Sequence, residues 1–322
     1  MRVLAGLVLA AATILTASAQ GEKDRLAQAK AALQAGEADK ALALLDTLAQ
    51  PGGRAEAYNL RCRVEFTLEQ WDRAASDCEQ AVKLDEQNSD DHLWLGRALG
   101  EKASRASFVS AYSLARRVRT EFEEAARLNP RNTEALAALG EYYYSAPGVV
   151  GGGTAKAEGV AAQVDKIDPA RAHELRGGIA EQRKDYGTAE REFKQSVAGS
   201  AHPALQWMTL ASFYRRREHF AEMESAVRSG ENAAERDKHA GVALFNGASL
   251  LRATNRDPAR AAKMLEDYLG SSAKTEDAPA FVAHLWLAGL KEQLGDASAA
   301  SRERAAALAL AHEYKPARDL KH

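Results

Sequence analysis

The 322 residues hold only two cysteines and eight prolines, and no long apolar run occurs beyond the first 20 positions. Each shortage excludes something. Cys62 and Cys78 form no Cys-x-x-Cys pair, so thiol–disulfide redox catalysis falls away. Few prolines among abundant Ala, Leu, Glu, Arg and Lys leave little to interrupt helix. No segment after Gln20 is long and apolar enough to cross a bilayer. The formal charge of −2 gives no general attraction to nucleic acid or to an anionic membrane. Two basic runs, Arg116-Arg117-Val118-Arg119 and Arg215-Arg216-Arg217, are offset by Glu121, Glu123, Glu124 and Glu218 and read as solvated helix faces. The eight histidines are spread out, none at a His-Glu-x-x-His spacing. No nucleophile elbow or Ser/His/Asp arrangement stands out. Composition and motifs therefore point to no enzyme, no metal and no cofactor.

The N-terminus carries an address. Arg2 and the free amine precede the apolar stretch Val3–Ala17, and Ala17-Ser18-Ala19 is a small-x-small cleavage site before Gln20. This is the pattern of a secretory signal peptide over 1–19, cut after Ala19, and it implies a periplasmic or secreted chain. No cysteine follows the site closely, which argues against a lipid anchor.

What is present is periodicity. Residues 55–88 form a 34-residue unit with two apolar-periodic halves, Ala57–Leu68 and Trp71–Leu84, parted by a polar stretch. Small Ala74 and Ala81 recur where helices must approach closely, while Tyr58, Phe66 and Trp71 supply bulk. One small residue per unit can be followed along the chain as Ala29, Cys62, Gly96, Gly140, Gly177, Ala211, Ser249 and Ala288, at intervals of 33, 34, 44, 37, 34, 38 and 39. In six units its counterpart in the following helix, such as Ala81 after Cys62 or Ser196 after Gly177, lies 19 positions on. Leu128-Asn129-Pro130 and Ile167-Asp168-Pro169 close two of the units, with proline setting the turn into the next.

The unit resembles a tetratricopeptide repeat. That resemblance implies an all-α, right-handed solenoid of about eight helix–turn–helix hairpins with one continuous core. The units fall near 22–54, 55–88, 89–132, 133–169, 170–203, 204–238, 239–278 and 279–311, and 312–322 reads as a polar tail. His92, His173 and His284 occupy one place in their first helices, where a bulky residue fills the seam. The resemblance also implies a concave groove lined by Asn59, Arg63, Phe66, Leu93, Arg97, Glu141, Tyr144, Glu174, Met208, Ser212, Arg215 and Arg216. Some relatives hold a C-terminal carboxylate there with lysines and asparagines. Those residues are mostly missing here, so the activity does not transfer.

Two adjacent units break the metric. Gly96 to Ala125 is 29 and Gly140 to Val164 is 24. The extra residues of the first continue a helical stripe, lengthening the hairpin across 103–120 by about 15 Å. Those of the second form the loop 147–153, with Val149, Val150, Gly151, Gly152 and Gly153 at its centre. Both insertions lie at the same end of their hairpins, which makes that edge a second candidate contact surface. Gly148–Lys156 lacks the Gly-Lys-Ser/Thr of a phosphate loop, although its amides precede a helix start where an anion can bind weakly. Tyr143 is expected to pack inward and Tyr144 to face the groove. Cys62 and Cys78 lie at equal height on facing helices, and two readings stand: a disulfide, worth about 3 kcal/mol by loop closure, or two buried free thiols.

The sequence thus leads to a non-catalytic exported scaffold that binds a protein or peptide through its groove and its insertion edge. An accessory role in an envelope assembly or secretion complex, and anion or small-molecule binding at the glycine loop, are the alternatives. It names no partner.

Overall fold

The computed structural model describes residues 20–237 and 240–319, and the expected signal peptide lies outside them. The regular structure of the described residues is all helix, and they contain no strand. Helix α1 spans 20–35 and pairs with α2 (Ala38–Leu45); α3 (Ala55–Thr67) pairs with α4 (Trp71–Leu84). The next hairpins are α5 (Ser89–Arg105) with α6 (Phe108–Leu128), α7 (Thr133–Ser145) with α8 (Thr154–Val164), and α9 (Pro169–Gln182) with α10 (Tyr186–Gly199). Then follow α11 (Ala204–Arg216) with α12 (Phe220–Ala234), α13 (Gly241–Ala253) with α14 (Pro258–Gly270), α15 (Ala280–Gln293) with α16 (Ala297–Leu310), and the short α17 (Lys315–Arg318). Each hairpin stacks on its neighbours, giving the solenoid. Asn88, Asn132, Asp168, Asp185, Asp257 and Asp296 cap the helices they precede, each accepting from a backbone amide of the first turn.

The hairpins are held by one recurring contact. A Cβ added to Gly96 would lie 2.4 Å from the Phe122 ring, and one added to Gly177 would lie 2.7 Å from Phe193. Only a bare backbone lets these aromatics seat between the two helices. In the second hairpin the same register holds Cys62 and Cys78, which are bonded to each other with their Cα atoms 5.4 Å apart. A covalent bridge there replaces the ring-on-glycine contact. In the seventh hairpin the seam falls one residue earlier than the sequence spacing suggested. Ala248 is fully buried, whereas Ser249 turns to the inner surface.

A polar contact repeats beside the seam. His92 Nδ1 lies 2.7 Å from Glu121, His173 Nδ1 2.7 Å from Glu192, and His284 Nδ1 2.6 Å from Glu303. Each histidine reaches across its own hairpin to the second helix. The Glu121 hydrogen bond raises the His92 pKa against the opposing effect of burial.

The long third unit is helix on both sides of its turn, α5 with 17 residues and α6 with 21. The first buried side chain of α6 is Val118, so the stretch before it projects from the body. At its tip Phe108 is 89% and Val109 79% exposed.

After eight hairpins the solenoid meets its own beginning. Glu276, in the connection 271–279 between α14 and α15, accepts hydrogen bonds from Arg63 on α3 and from Gln34 at 3.0 Å. His312 pairs with Asp39 at 2.9 Å, Glu313 with Gln70 and Arg73, and the Tyr314 hydroxyl donates to Glu69. Gly36, with φ +74°, turns the first hairpin directly against Ala280, whose amide nitrogen would be 2.4 Å from an added Cβ. Residues 312–319 are therefore not a free polar tail. Tyr314 is buried on Phe281, ring centroids 4.9 Å apart, and α17 covers that contact. One apolar core accordingly runs from Leu26 and Tyr58 through Phe281 to Tyr314, while hairpins two to five share a second around Trp94, Phe122 and Leu175.

The Cys62–Cys78 bond closes a loop of 16 residues. Reduction, or the double change Cys62→Ser and Cys78→Ser, should lower unfolding free energy by about 3 kcal/mol. Urea titrations with and without dithiothreitol measure this, and identical midpoints would show that the bridge adds nothing to stability.

Candidate functional site

The inner wall of hairpins four to seven encloses a hollow of about 660 Å³. Its surface is built mainly from first helices. Glu141 and Tyr144 come from α7, Arg171, Glu174, Leu175 and Gly178 from α9, Ser212, Arg215 and Arg216 from α11, and Asn246, Ser249 and Leu250 from α13. Three- and four-residue steps along each helix keep these side chains on one face.

The charges are matched almost completely. Arg171 hydrogen-bonds Glu174 and lies 3.5 Å from Glu141. Arg216 grips Glu181 with two hydrogen bonds of 2.8 and 2.7 Å. Arg215 is the exception. No carboxylate of the described residues is paired with it, and its Nε is buried without a hydrogen-bond partner. Glu141 keeps half of its side-chain surface in contact with solvent, yet the surrounding wall desolvates the carboxyl and raises its pKa, opposed by Arg171. Burial likewise raises the Tyr144 phenol. The Tyr144 ring rests on Gly178, where an added Cβ would come within 2.7 Å, so glycine there lets the tyrosine lie flat against α9.

The other expected groove residues are placed differently. Asn59 and Leu93 are buried, and Asn59 is committed to Asp91, donating to its Oδ1 at 2.7 Å. Met208 is buried too and forms the floor of the hollow, its methyl wedged beside Gly230 and Gly247. Phe66 packs edge-on between Trp71 and Trp94, 5.0 and 5.5 Å away. Arg63 and Arg97 both lie over the Trp94 ring, but Arg63 is taken by Glu276 and Arg97 by Glu134 at 2.9 Å. The groove expected as one continuous surface is thus divided. Because the solenoid closes, the 271–279 connection lies across the wall of hairpins two and three, leaving a separate recess of about 480 Å³ there.

The glycine loop is a tied turn. Gly151 N donates to the Gly148 carbonyl, Gly152 N to Pro147 and Gly153 N to Tyr143 at 2.6 Å. Those three amides are spent internally. Val150 is buried and Tyr142 donates to its carbonyl, whereas Val149 stands 77% exposed. Arg119 of α6 packs against Gly151, so the two insertions meet as one edge.

Sequence reading missed Arg171, Gly178 and Glu181 of the wall, and Glu276. The first three recur with Glu174 at helical intervals on α9, a stripe that points them to one face. Nothing local marks Glu276. Among the described residues no three His, Cys, Asp or Glu side chains gather in a metal-binding arrangement, and no helix is long and apolar enough to cross a membrane.

No protein-family model and no curated protein matches the sequence. Solved structures do. Yeast Tom70 superposes with a TM-score of 0.53 at 14% identity, covering 87% of this chain and 58% of that one. A thermophilic TPR protein of Thermus thermophilus gives 0.48 at 19% identity, covering 60% and 98%. A tetratricopeptide repeat protein of Parabacteroides merdae gives 0.46 at 13%, covering 85% and 99%. The fold is a tetratricopeptide-repeat solenoid.

Asp91 beneath the divided groove has a pH signature. Burial pushes its carboxyl up to about 6 from an ordinary 3.8, against the lowering effect of the Asn59 hydrogen bond. The folded state therefore holds this proton more tightly, and its stabilising effect is lost as pH rises from about 4 through 6. Asp91→Asn should reduce that loss by on the order of 2 kcal/mol. Urea midpoints of both proteins at pH 4.5 and 7.5 test this, and parallel pH profiles would refute it.

Proposed function

We propose that the chain is a non-catalytic exported scaffold that binds a protein or peptide in its inner hollow. Arg215 carries the reading: it is a cation left without a carboxylate, in a wall whose other charges are paired. An incoming carboxylate would satisfy it, while Tyr144, Leu175 and Leu250 offer apolar contact beside it. The chemistry fits an extended or helical peptide segment bearing acidic and apolar side chains. The repeat fold supports the same class of role, since it presents preformed surface between rigid helices.

The edge made by 103–120 and 147–153 is a second contact in this reading. Phe108 and Val109 expose apolar surface on the projecting arm and Val149 on the 147–153 loop, which fits a protein held within a larger envelope assembly. Export itself rests on the residues 1–19 pattern.

Site-specific photo-crosslinking separates the two surfaces. A benzoylphenylalanine at Ser212 should yield a partner adduct in intact cell envelopes, and Arg215→Glu should reduce that adduct at least tenfold without changing the melting temperature. A probe at Val149 should report the edge, with loss on the double change Phe108→Ser and Val109→Ser. A Ser212 adduct undiminished by Arg215→Glu would remove the arginine from recognition. No adduct from Ser212 would exclude the hollow.

A further inference from the structure

The connection 271–279 is a peptide already lying on the wall of this solenoid. It runs from the end of α14 to Pro279 without helix, and its hydrogen bonds are mainly local: Lys274 Nζ to the Ser271 carbonyl at 2.7 Å, Ala273 N to the Ser271 hydroxyl at 3.2 Å, and the Tyr268 hydroxyl to the Ala278 carbonyl. Towards hairpins one and two its polar grip is a single side chain. Glu276 faces Arg63 fork to fork, and Gln34 adds a third hydrogen bond to the same carboxylate. Two-point pairing of this kind is the specific way a guanidinium reads a carboxylate.

The receiving wall is organised around Trp94, whose ring carries the Arg63 guanidinium 5.1 Å from its centroid and that of Arg97 at 4.6 Å. The recess is bordered by four cations and four carboxylates, and two of those carboxylates, Glu276 and Asp277, belong to the connection. Without that segment Arg63 would lose its carboxylate partner while Arg97 keeps Glu134, and cations would outnumber carboxylates by two around the recess. The segment therefore supplies the charge its seat requires, while its own backbone forms no part of any helix of the solenoid.

We propose that Arg63 and Arg97, mounted on Trp94, form a second peptide-recognition site specific for an extended acidic segment, and that Thr275-Glu276-Asp277 is its resident occupant. A partner carrying adjacent acidic side chains binds here by displacing the chain's own loop. Displacement also removes the Glu276 link between the two ends of the solenoid. The site lies on hairpins two and three, away from Arg215, so it extends the reading of the hollow without depending on it.

The test uses the full chain and a fluorescent peptide of sequence Ser-Ser-Ala-Lys-Thr-Glu-Asp-Ala-Pro, copied from 271–279. The tethered loop competes at an effective concentration on the order of millimolar, so the wild type should bind this peptide weakly in fluorescence anisotropy. The double change Glu276→Gln and Asp277→Asn vacates the site and should tighten binding at least tenfold. Adding Arg63→Glu should abolish the gain, and a peptide with Gln-Asn in place of Glu-Asp should not bind the vacated protein. Far-UV circular dichroism checks the fold. Should the double variant lose helix, Glu276→Gln alone must still tighten binding at least threefold. A vacated protein that binds no more tightly than wild type, or a gain that survives Arg63→Glu, overturns the proposal. Arg215→Glu should leave this affinity unchanged, so the failure of one site is distinguishable from the failure of the other.

Discussion

Everything in this molecule depends on how closely two helices of one hairpin can approach. The seam position is filled by a glycine under an aromatic ring at Gly96–Phe122 and Gly177–Phe193, and by a covalent bond at Cys62–Cys78. These solutions are chemically unlike but geometrically equivalent, because each brings two backbones together with no void. A methyl group on either glycine would collide with a ring inside a close-packed core, where there is little slack to absorb it. The same approach lets His92, His173 and His284 reach a glutamate on the opposite helix. Apolar and polar contacts in these hairpins are therefore two readings of one distance.

Repeating that distance eight times has a consequence that no single hairpin contains. Each stacked unit adds a small rotation, and here the sum returns the chain to its start. Leu26 and Phe281 come to share one core, and Glu276 meets Arg63 across 213 positions. An open solenoid presents a continuous concave face; closure instead divides that face and covers part of it with the chain's own connection. The terminal units are also altered by it. End repeats of an open array need a polar outer surface, whereas Tyr314 and Ala317 are buried against a neighbour.

What could be read from sequence follows this division between local and summed geometry. The 19-residue spacing was legible because each hairpin imposes it separately, and the lengthened third unit announced itself as helix through its own apolar stripe. Tyr144 and Arg215 were placed on the inner surface by register within one unit. Asn59, Leu93 and Met208 share that register but sit lower in the wall, so they are buried. Burial depends on neighbouring units. The fate of Arg63 was invisible, since its partner is a loop glutamate positioned by the accumulated rotation of all the intervening hairpins. The glycine loop shows the same limit: three glycines in sequence suggest open amides, but the Gly148, Pro147 and Tyr143 carbonyls accept from Gly151, Gly152 and Gly153.

The electrostatics of the inner wall then acquire a simple logic. Arg171 and Arg216 are neutralised by Glu174 and Glu181, so the wall exerts little long-range pull on charged molecules in general. Such pairs contribute modestly to stability where solvent reaches them, but they fix the arginines in place and keep the surface from accepting any anion indiscriminately. In the proposed function, discrimination falls to the groups left unmatched. In that proposal the carboxylate that Arg215 lacks is supplied by the ligand; at Arg63 it comes from the chain itself. A ligand able to satisfy the first gains a charge pair without breaking one. A ligand competing for the second must replace an existing pair held by a tether. That asymmetry separates the two sites more sharply than their shapes do, because recognition is set by the difference between bound and unbound partners of the same arginine.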